Sequence, residues 1–217
     1  MSKPGKILII ILVAFAVLLL AWPDQWLGRR SSAVFKPLPP VPKIKGTFEG
    51  GDPFSIAFEY LRVHRREFKN LHYLTVIDYT KPSSSNRLYL INLDNGAVQK
   101  LLVSHGKNSG WLYATKFSNS HESFQSSRGF FRTGSKYYGK LGPTLELIGL
   151  QKGINDNALS RKIVMHGAHY AGPHSVVLNR GRLGRSLGCP AIPREYAEAV
   201  IDRIKGGSLL YVHAKEK

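Results

Sequence analysis

The chain has 217 residues and a mass of 24.2 kDa, which allows one ordinary domain with appendages rather than two full domains. Hydrophobic residues make up 43%, enough to bury a core, and this excludes a wholly disordered or fibrous chain. A single cysteine excludes an intrachain disulfide and Cys-rich zinc modules. The net charge of +17 favours an anionic partner: nucleic acid, an acidic membrane surface or an acidic polymer.

The N-terminus carries a long apolar stretch. Residues 7–22 have no polar side chain, and Lys3 and Lys6 precede them. A helix of this length rises about 24 Å, somewhat short of a bilayer core, so a signal peptide and an uncleaved anchor both stay open. Because no convincing cleavage site follows, we favour a transmembrane anchor over residues 7–27, with Trp22 and Trp26 at the headgroup level. Residues 1–6 are then a short cytoplasmic N-terminus.

Residues 28–50 are predicted to be a Pro-rich linker, because the segment 36–43 favours extended polyproline geometry. The main domain is predicted over residues 51–217. Asp52 and Pro53 are typical of a helix N-cap and first turn, and apolar residues at helical spacing predict a packed helix over 53–69.

From residue 73 onward the sequence pattern is typical of β-strands. The segments predicted to be strands are 73–79, 87–93, 97–103, 129–133, 144–150, 162–166 and 208–214. Asn95-Gly96 predicts a type I′ hairpin turn. An apolar face over 193–205 predicts a C-terminal helix that ends at Gly206. We therefore expect a mainly β fold, a sandwich or barrel with an N-terminal packing helix and a C-terminal helix.

One stretch carries the residues of nucleophilic chemistry. His166 follows the apolar run 163–165, and Cys189 lies between Gly188 and Pro190. A lone cysteine is usually a small buried residue, but a neighbouring glycine lets backbone N–H groups approach an oxyanion. The helix that begins near Pro193 is expected to lower the pKa of the thiol. A cysteine and a histidine suffice as a nucleophilic pair.

Arg182 to Ala191 reads R-L-G-R-S-x-G-C-P-A and follows a strand that ends in His166-Gly167. With this order and the segments 76–79, 103–106, 115–119, 126–131 and 161–167, the chain resembles the YkuD-type murein L,D-transpeptidase catalytic domain from about Leu71 to His213. The resemblance implies an L,D-transpeptidase-like fold. It also implies that the partner is a peptidoglycan stem peptide.

The resemblance implies a mechanism as well. Cys189 attacks the carbonyl of the third stem residue, His166 takes the thiol proton, D-alanine leaves, and an amine or water resolves the thioester. An amine gives a 3→3 cross-link and water gives carboxypeptidase activity. The N–H groups of Leu187, Gly188 and Cys189 form the oxyanion hole with support from Ser186, and no metal or organic cofactor is needed. The catalytic domain is expected outside the cytoplasmic membrane, in the periplasm of an enveloped bacterium.

This chain departs from the wider family pattern, which has His immediately before Gly-Cys and Arg or Asn two residues after Cys. Leu187 and Ala191 stand there, so recognition of the donor carboxylate falls to Arg182 or Arg185. Gly167 and His105 are further candidates for substrate binding. His105 is expected to line the cleft rather than transfer a proton, with a structural turn at the strand end as the open alternative. His169 and His174 are expected to be exposed loop histidines, although either stays open as an alternative base.

Two other function classes remain. A non-catalytic cell-wall-binding module of the same fold is the alternative to the enzyme, because of the substitutions at Leu187 and Ala191. Nucleic-acid binding is not predicted, because the basic residues are dispersed and no recognition motif is present. The sequence carries no signal for an oligomeric state.

Overall fold

A computed structural model describes residues 37–43 and 51–215. Most of the regular structure in this part of the chain is β. The strands are β1 (Tyr73–Asp78), β2 (Leu88–Asn92), β3 (Val98–Leu101), β4 (Gly129–Gly139), β5 (Gly142–Gly149), β6 (Val164–Ala168), β7 (Ala191–Pro193) and β8 (Leu209–His213). The α-helices are α1 (Pro53–Val63), α2 (Pro173–Leu178) and α3 (Arg194–Ile204), and short 3-10 turns occupy Arg65–Glu67 and His169–Ala171.

All eight strands belong to one sheet in the order β3-β2-β1-β8-β4-β5-β6-β7. The pairs β1/β8 and β6/β7 are parallel and the other pairs are antiparallel. Just beyond β3, the Ser104 N–H donates to the Ala191 carbonyl in β7 at 2.7 Å. The two ends of the sheet therefore meet, and the predicted mainly β, near-barrel fold with packed helices is confirmed.

Helix α3 fills one side of the sheet. Its residues Ala197, Val200, Ile201 and Ile204 are fully buried in one cluster with Met165 of β6. Because these residues recur at helical spacing, the sequence located this helix to within one residue at each end. Gly167 of β6 lies directly beneath α3, since an added Cβ would come within 2.8 Å of the Ala197 side chain.

Helix α1 covers the other face of the sheet. The Asp52 side chain caps it by accepting from the Phe54 N–H at 3.0 Å, and the Phe54 ring meets the Tyr89 ring edge-on at 4.9 Å. The predicted helix over 53–69 is too long, because α1 ends at Val63. Phe68 is extended and still buried in the same cluster, so its helical spacing was misleading.

The Asn95-Gly96 hairpin turn differs from the prediction. A type I′ turn needs a positive φ at both central residues, but only Gly96 has one, at +75°. The Asn92 N–H instead donates to the Ala97 carbonyl at 2.8 Å across a four-residue loop. The Asn92 side chain accepts from the Asp94 N–H at 2.8 Å, and this local bond stabilises the longer loop.

Three elements differ from or add to the predicted order. The β4–β5 hairpin runs from Gly129 to Gly149, with an irregularity after Thr133, and places Leu141 at its tip. Strand β7 and helix α2 were not predicted. β7 has only three residues, which is too short for any periodicity, and α2 includes His174, which was expected in a loop.

The predicted membrane anchor over residues 7–27 and most of the linker over 28–50 lie outside the described residues. Within residues 37–43 and 51–215, the helices are too short or too polar to cross a membrane.

Candidate active site

A single hydroxyl closes the loop that carries the cysteine. The Ser186 Oγ donates to the Cys189 carbonyl at 2.6 Å and accepts from the Gly188 N–H at 3.1 Å. The backbone of Ser186 is fixed as well, because its N–H donates to the His105 carbonyl at 3.0 Å and its carbonyl accepts from the Lys107 N–H at 2.8 Å. The loop is thus held from inside and from the segment that follows β3.

Gly188 has a φ of +126°, which side chains rarely tolerate. A Cβ there would lie 2.9 Å from both the Gln125 carbonyl oxygen and the Ile163 side chain. The Gly188 carbonyl accepts from the Ser126 Oγ at 3.0 Å. The loop therefore packs directly against residues 118–127, a segment that we call the flap.

The Cys189 thiol is half-buried and donates to the Lys162 carbonyl at 3.6 Å. Burial raises the pKa of the thiol, and backbone hydrogen bonding from Val164, the charge of Arg161 and the backbone of Cys189 itself act against that shift. The predicted lowering of the thiol pKa is wrong, because burial raises this pKa and β7 separates Cys189 from α3.

His166 stands next to this loop because β6 and β7 pair in parallel, with His166 opposite Ala191. Its Nδ1 lies 3.0 Å from the Gly167 carbonyl, which can only accept, so Nδ1 carries the proton and Nε2 is left as an acceptor. Burial lowers the pKa of His166, and the bond to Gly167 acts weakly against that. The ring is therefore neutral at ordinary pH.

Cys189 and His166 line the same cavity of about 690 Å³, which we call the Cys189 cavity. The flap, the segment that leads into β6 and the cysteine loop form most of the cavity wall. Its other residues are His121, Glu122, Phe124, Leu141, 160–164, Tyr170 and 185–187. Within the described part of the chain, no hydrogen bond joins the thiol to the His166 ring.

Backbone strain is concentrated around this cavity. Four described non-glycine residues have a left-handed φ, and three of them, Glu122, Phe124 and Lys162, line the Cys189 cavity. Such conformations cost about 1–3 kcal/mol each and persist only where the surroundings impose them. Lys162 is the residue whose carbonyl accepts from the thiol, so one of these strained residues contacts Cys189 directly.

A model of the L,D-transpeptidase catalytic domain family matches residues 52–213, about three quarters of the chain. The chain belongs to the L,D-transpeptidase catalytic domain family. The resemblance found in the sequence is thereby confirmed.

Three solved structures that are similar to the chain are L,D-transpeptidases. One is an L,D-transpeptidase from Mycobacterium smegmatis, with 18% identity and a TM-score of 0.40 over 66% of this chain and 59% of that chain. An L,D-transpeptidase from Mycobacterium tuberculosis has 14% identity and a TM-score of 0.43 over 66% and 58%. An LD transpeptidase in complex with imipenem has 15% identity and a TM-score of 0.39 over 65% and 59%. This chain therefore spans about three fifths of each of these proteins, and no curated protein matches it.

Some of the predicted site residues line the Cys189 cavity and others lie outside it. Leu187 is exposed at the rim of the Cys189 cavity, and Arg185 also lines it. The Arg185 guanidinium lies 4.0 Å from the centre of the Trp111 ring and donates to the Lys107 carbonyl at 2.9 Å. Arg182 lies over the same ring at 4.4 Å and is not part of the cavity wall.

Two of the predicted substrate-binding residues are buried. His105 accepts from the Arg87 guanidinium at 2.7 Å and faces the Gly110 carbonyl at 3.3 Å, and burial lowers its pKa to about 3. The prediction that His105 lines the cleft is therefore wrong. Gly167 is likewise buried, against α3, and its carbonyl orients His166.

The predicted oxyanion hole also needs a correction. The Gly188 N–H donates to the Ser186 hydroxyl, so it is occupied, whereas the Leu187 and Cys189 N–H groups remain candidates. Ala191, where the wider family has a polar residue, is fully buried between its two neighbouring strands. That position cannot contact a substrate in this domain.

The alternative histidines lie outside the cavity wall. His169 is exposed and accepts from the Arg194 guanidinium at 2.7 Å, and His174 is exposed on α2. Sequence reasoning missed Arg161, which lines the Cys189 cavity and bonds the flap. The only signal for it was a basic residue just ahead of the buried strand β6.

We expect Gly188→Ala to lower the free energy of unfolding by about 1–3 kcal/mol from backbone strain, plus the cost of the contact with Gln125. Gly153→Ala is the matched control, because Gly153 also has a positive φ, at +76°, but has nothing within 4 Å of an added Cβ. Urea unfolding of both variants measures the difference. Equal losses in the two variants would contradict close packing of the flap on the cysteine loop.

Proposed function

We propose that this domain is a cysteine-dependent murein L,D-transpeptidase that acts through a thioester on Cys189. The observation that carries the proposal is that a half-buried cysteine and a histidine with a free ring nitrogen line one cavity in a member of this family. The substrate is a peptidoglycan stem peptide. An amine of a second stem completes a 3→3 cross-link, and water completes hydrolysis instead.

The two pKa shifts define the resting state of the pair. Burial raises the pKa of the thiol and lowers that of the imidazole, so both groups are neutral before substrate binds. The thiol proton then moves to His166 Nε2 as the sulfur–carbon bond forms, which is general-base catalysis rather than attack by a preformed ion pair. The Gly167 carbonyl, which accepts from Nδ1, stabilises the imidazolium that results.

In the remaining steps each proton that His166 accepts passes on to a leaving group, so Cys189 and His166 return to their starting states. The imidazolium protonates the departing amine of D-alanine as the peptide bond breaks, leaving a thioester and a neutral His166. The acceptor amine loses a proton to His166 as it attacks the thioester carbonyl, and the sulfur leaves and is reprotonated by the imidazolium. The thioester keeps the acyl group reactive toward an amine.

Arg185 is the proposed contact for the donor carboxylate. It lines the Cys189 cavity, and its position is fixed by Trp111 and by the carbonyls of Lys107 and Gly110. The family position at Ala191 is buried and cannot serve. A guanidinium is well suited to a carboxylate because it can donate two parallel hydrogen bonds.

Incubation of the full chain with imipenem tests the thioester step. The thiol should add to the β-lactam carbonyl and open the ring, so the mass should rise by one whole imipenem molecule. Because the chain has one cysteine, Cys189→Ala is a clean control and should stay unmodified. Mass spectrometry measures both. A folded wild-type chain that stays unmodified would contradict the enzyme and favour a non-catalytic wall-binding module.

We also propose that the N-terminal segment tethers the domain to the outer side of the cytoplasmic membrane, where peptidoglycan lies. The apolar residues 7–22 and the net charge of +17 support this placement beside anionic envelope polymers. The full chain should sediment with membranes and keep its N-terminus, whereas a chain without residues 1–27 should not sediment. Full-length chain in the soluble fraction would contradict the tether.

A further inference from the structure

Arg161 makes an unusually complete set of bonds to the flap. Its Nη1 donates to the Ser127 hydroxyl at 2.6 Å and to the Ser118 carbonyl, and its Nη2 donates to the Ser123 hydroxyl at 3.0 Å and to the Gln125 carbonyl at 2.8 Å. This half-buried guanidinium thus bonds to four residues of the flap and connects the flap to the segment that leads into β6. The flap conformation at the cavity depends on it.

The same guanidinium is linked to the surroundings of Cys189 through two neighbouring residues, Gln125 and Lys162. Gln125, which accepts from Arg161, packs its carbonyl 2.9 Å from the position of a Gly188 Cβ. Lys162, the next residue along the chain, offers the carbonyl that accepts from the Cys189 thiol. Arg161 therefore contacts the surroundings of Cys189 from the flap side and from the β6 side.

All four bonding partners of Arg161 are neutral, and none of the described carboxylates pairs with it. Its charge is therefore not cancelled locally. A half-buried cation is screened by water less than an exposed one, so it acts more strongly on a nearby anion. The thiolate of Cys189 is such an anion, and Arg161 lines the same cavity.

We propose that Arg161 is a positioning residue of this site, which clamps the flap over Cys189 and whose uncompensated charge stabilises the thiolate that forms when the thioester breaks down. This inference rests on the proposed function only in taking Cys189 as the nucleophile.

The other titratable groups around the thiol do not take this role. Lys162 and Glu122 are exposed, and His166 is neutral. Arg185 is held on Trp111 and bonds the segment after β3 rather than the flap. The remaining groups that face the site are His121, Tyr170 and Tyr79, and burial raises the pKa of both tyrosines to about 12, so they stay uncharged.

The test measures the rate at which iodoacetamide alkylates the full chain as a function of pH, since the single cysteine makes the signal unambiguous. Arg161→Gln should move the midpoint of the rate profile to higher pH and slow alkylation near neutral pH about tenfold. Arg161→Lys keeps the charge and should leave the midpoint close to that of wild type. Lys152→Gln is the control, because it removes an exposed charge outside the Cys189 cavity and should also leave the midpoint in place.

Ser127→Ala separates the charge from the clamp. It removes one flap bond of Arg161, so amide hydrogen exchange in residues 118–127 should accelerate while the alkylation midpoint stays in place. An unchanged midpoint in Arg161→Gln, or an equal shift in Ser127→Ala, would overturn the inference. If Arg161→Gln fails to fold, a raised midpoint in Arg161→Lys overturns it. Alkylation needs no peptide substrate, so these results are independent of whether the domain transfers stem peptides.

Discussion

The site depends on one three-residue strand, β7. Ala191 is bonded on one side to Ser104, which follows β3, and is in register on the other side with His166 of β6. This small buried strand closes the sheet, and the same pairing fixes the loop that carries Cys189 beside the strand that carries His166. Closure of the sheet and placement of the site therefore depend on the same pairing, and the small side chain of Ala191 is fully buried there.

Burial has opposite effects on the pKa values of Cys189 and His166, and the proposed mechanism follows from that. It raises the pKa of the thiol and lowers that of the imidazole, so the resting pair is neutral. In the proposed mechanism His166 Nε2 accepts the thiol proton, and the thiolate is stabilised by backbone hydrogen bonding from Val164 and by the charge of Arg161. Stabilisation aimed at a transient charge accelerates a reaction, whereas stabilisation of the resting state does not.

Much of the fold could be predicted from the sequence, because α3 and the strands repeat apolar residues at clear periods. β7 could not, since its three residues are all buried and show no period. The helical spacing of Phe68 predicted that the helix extends to this residue, but Phe68 is extended. It is buried by tertiary packing rather than by a place on the helix. At the site, the motif located Cys189, His166 and Ser186, but not the sequestered Gly188 N–H or the burial of His105, which depend on contacts between distant segments.

The most direct measurement is the rate of acyl-enzyme formation on a stem tetrapeptide, followed by mass spectrometry in wild type, His166→Ala and His174→Ala. Loss of the His166 ring should slow acylation by about 100-fold or more, because the bond from Nδ1 to the Gly167 carbonyl leaves Nε2 as the proton acceptor in the Cys189 cavity, while His174→Ala should acylate at the wild-type rate. Acylation by His166→Ala at an undiminished rate, or its loss in His174→Ala, would contradict the account.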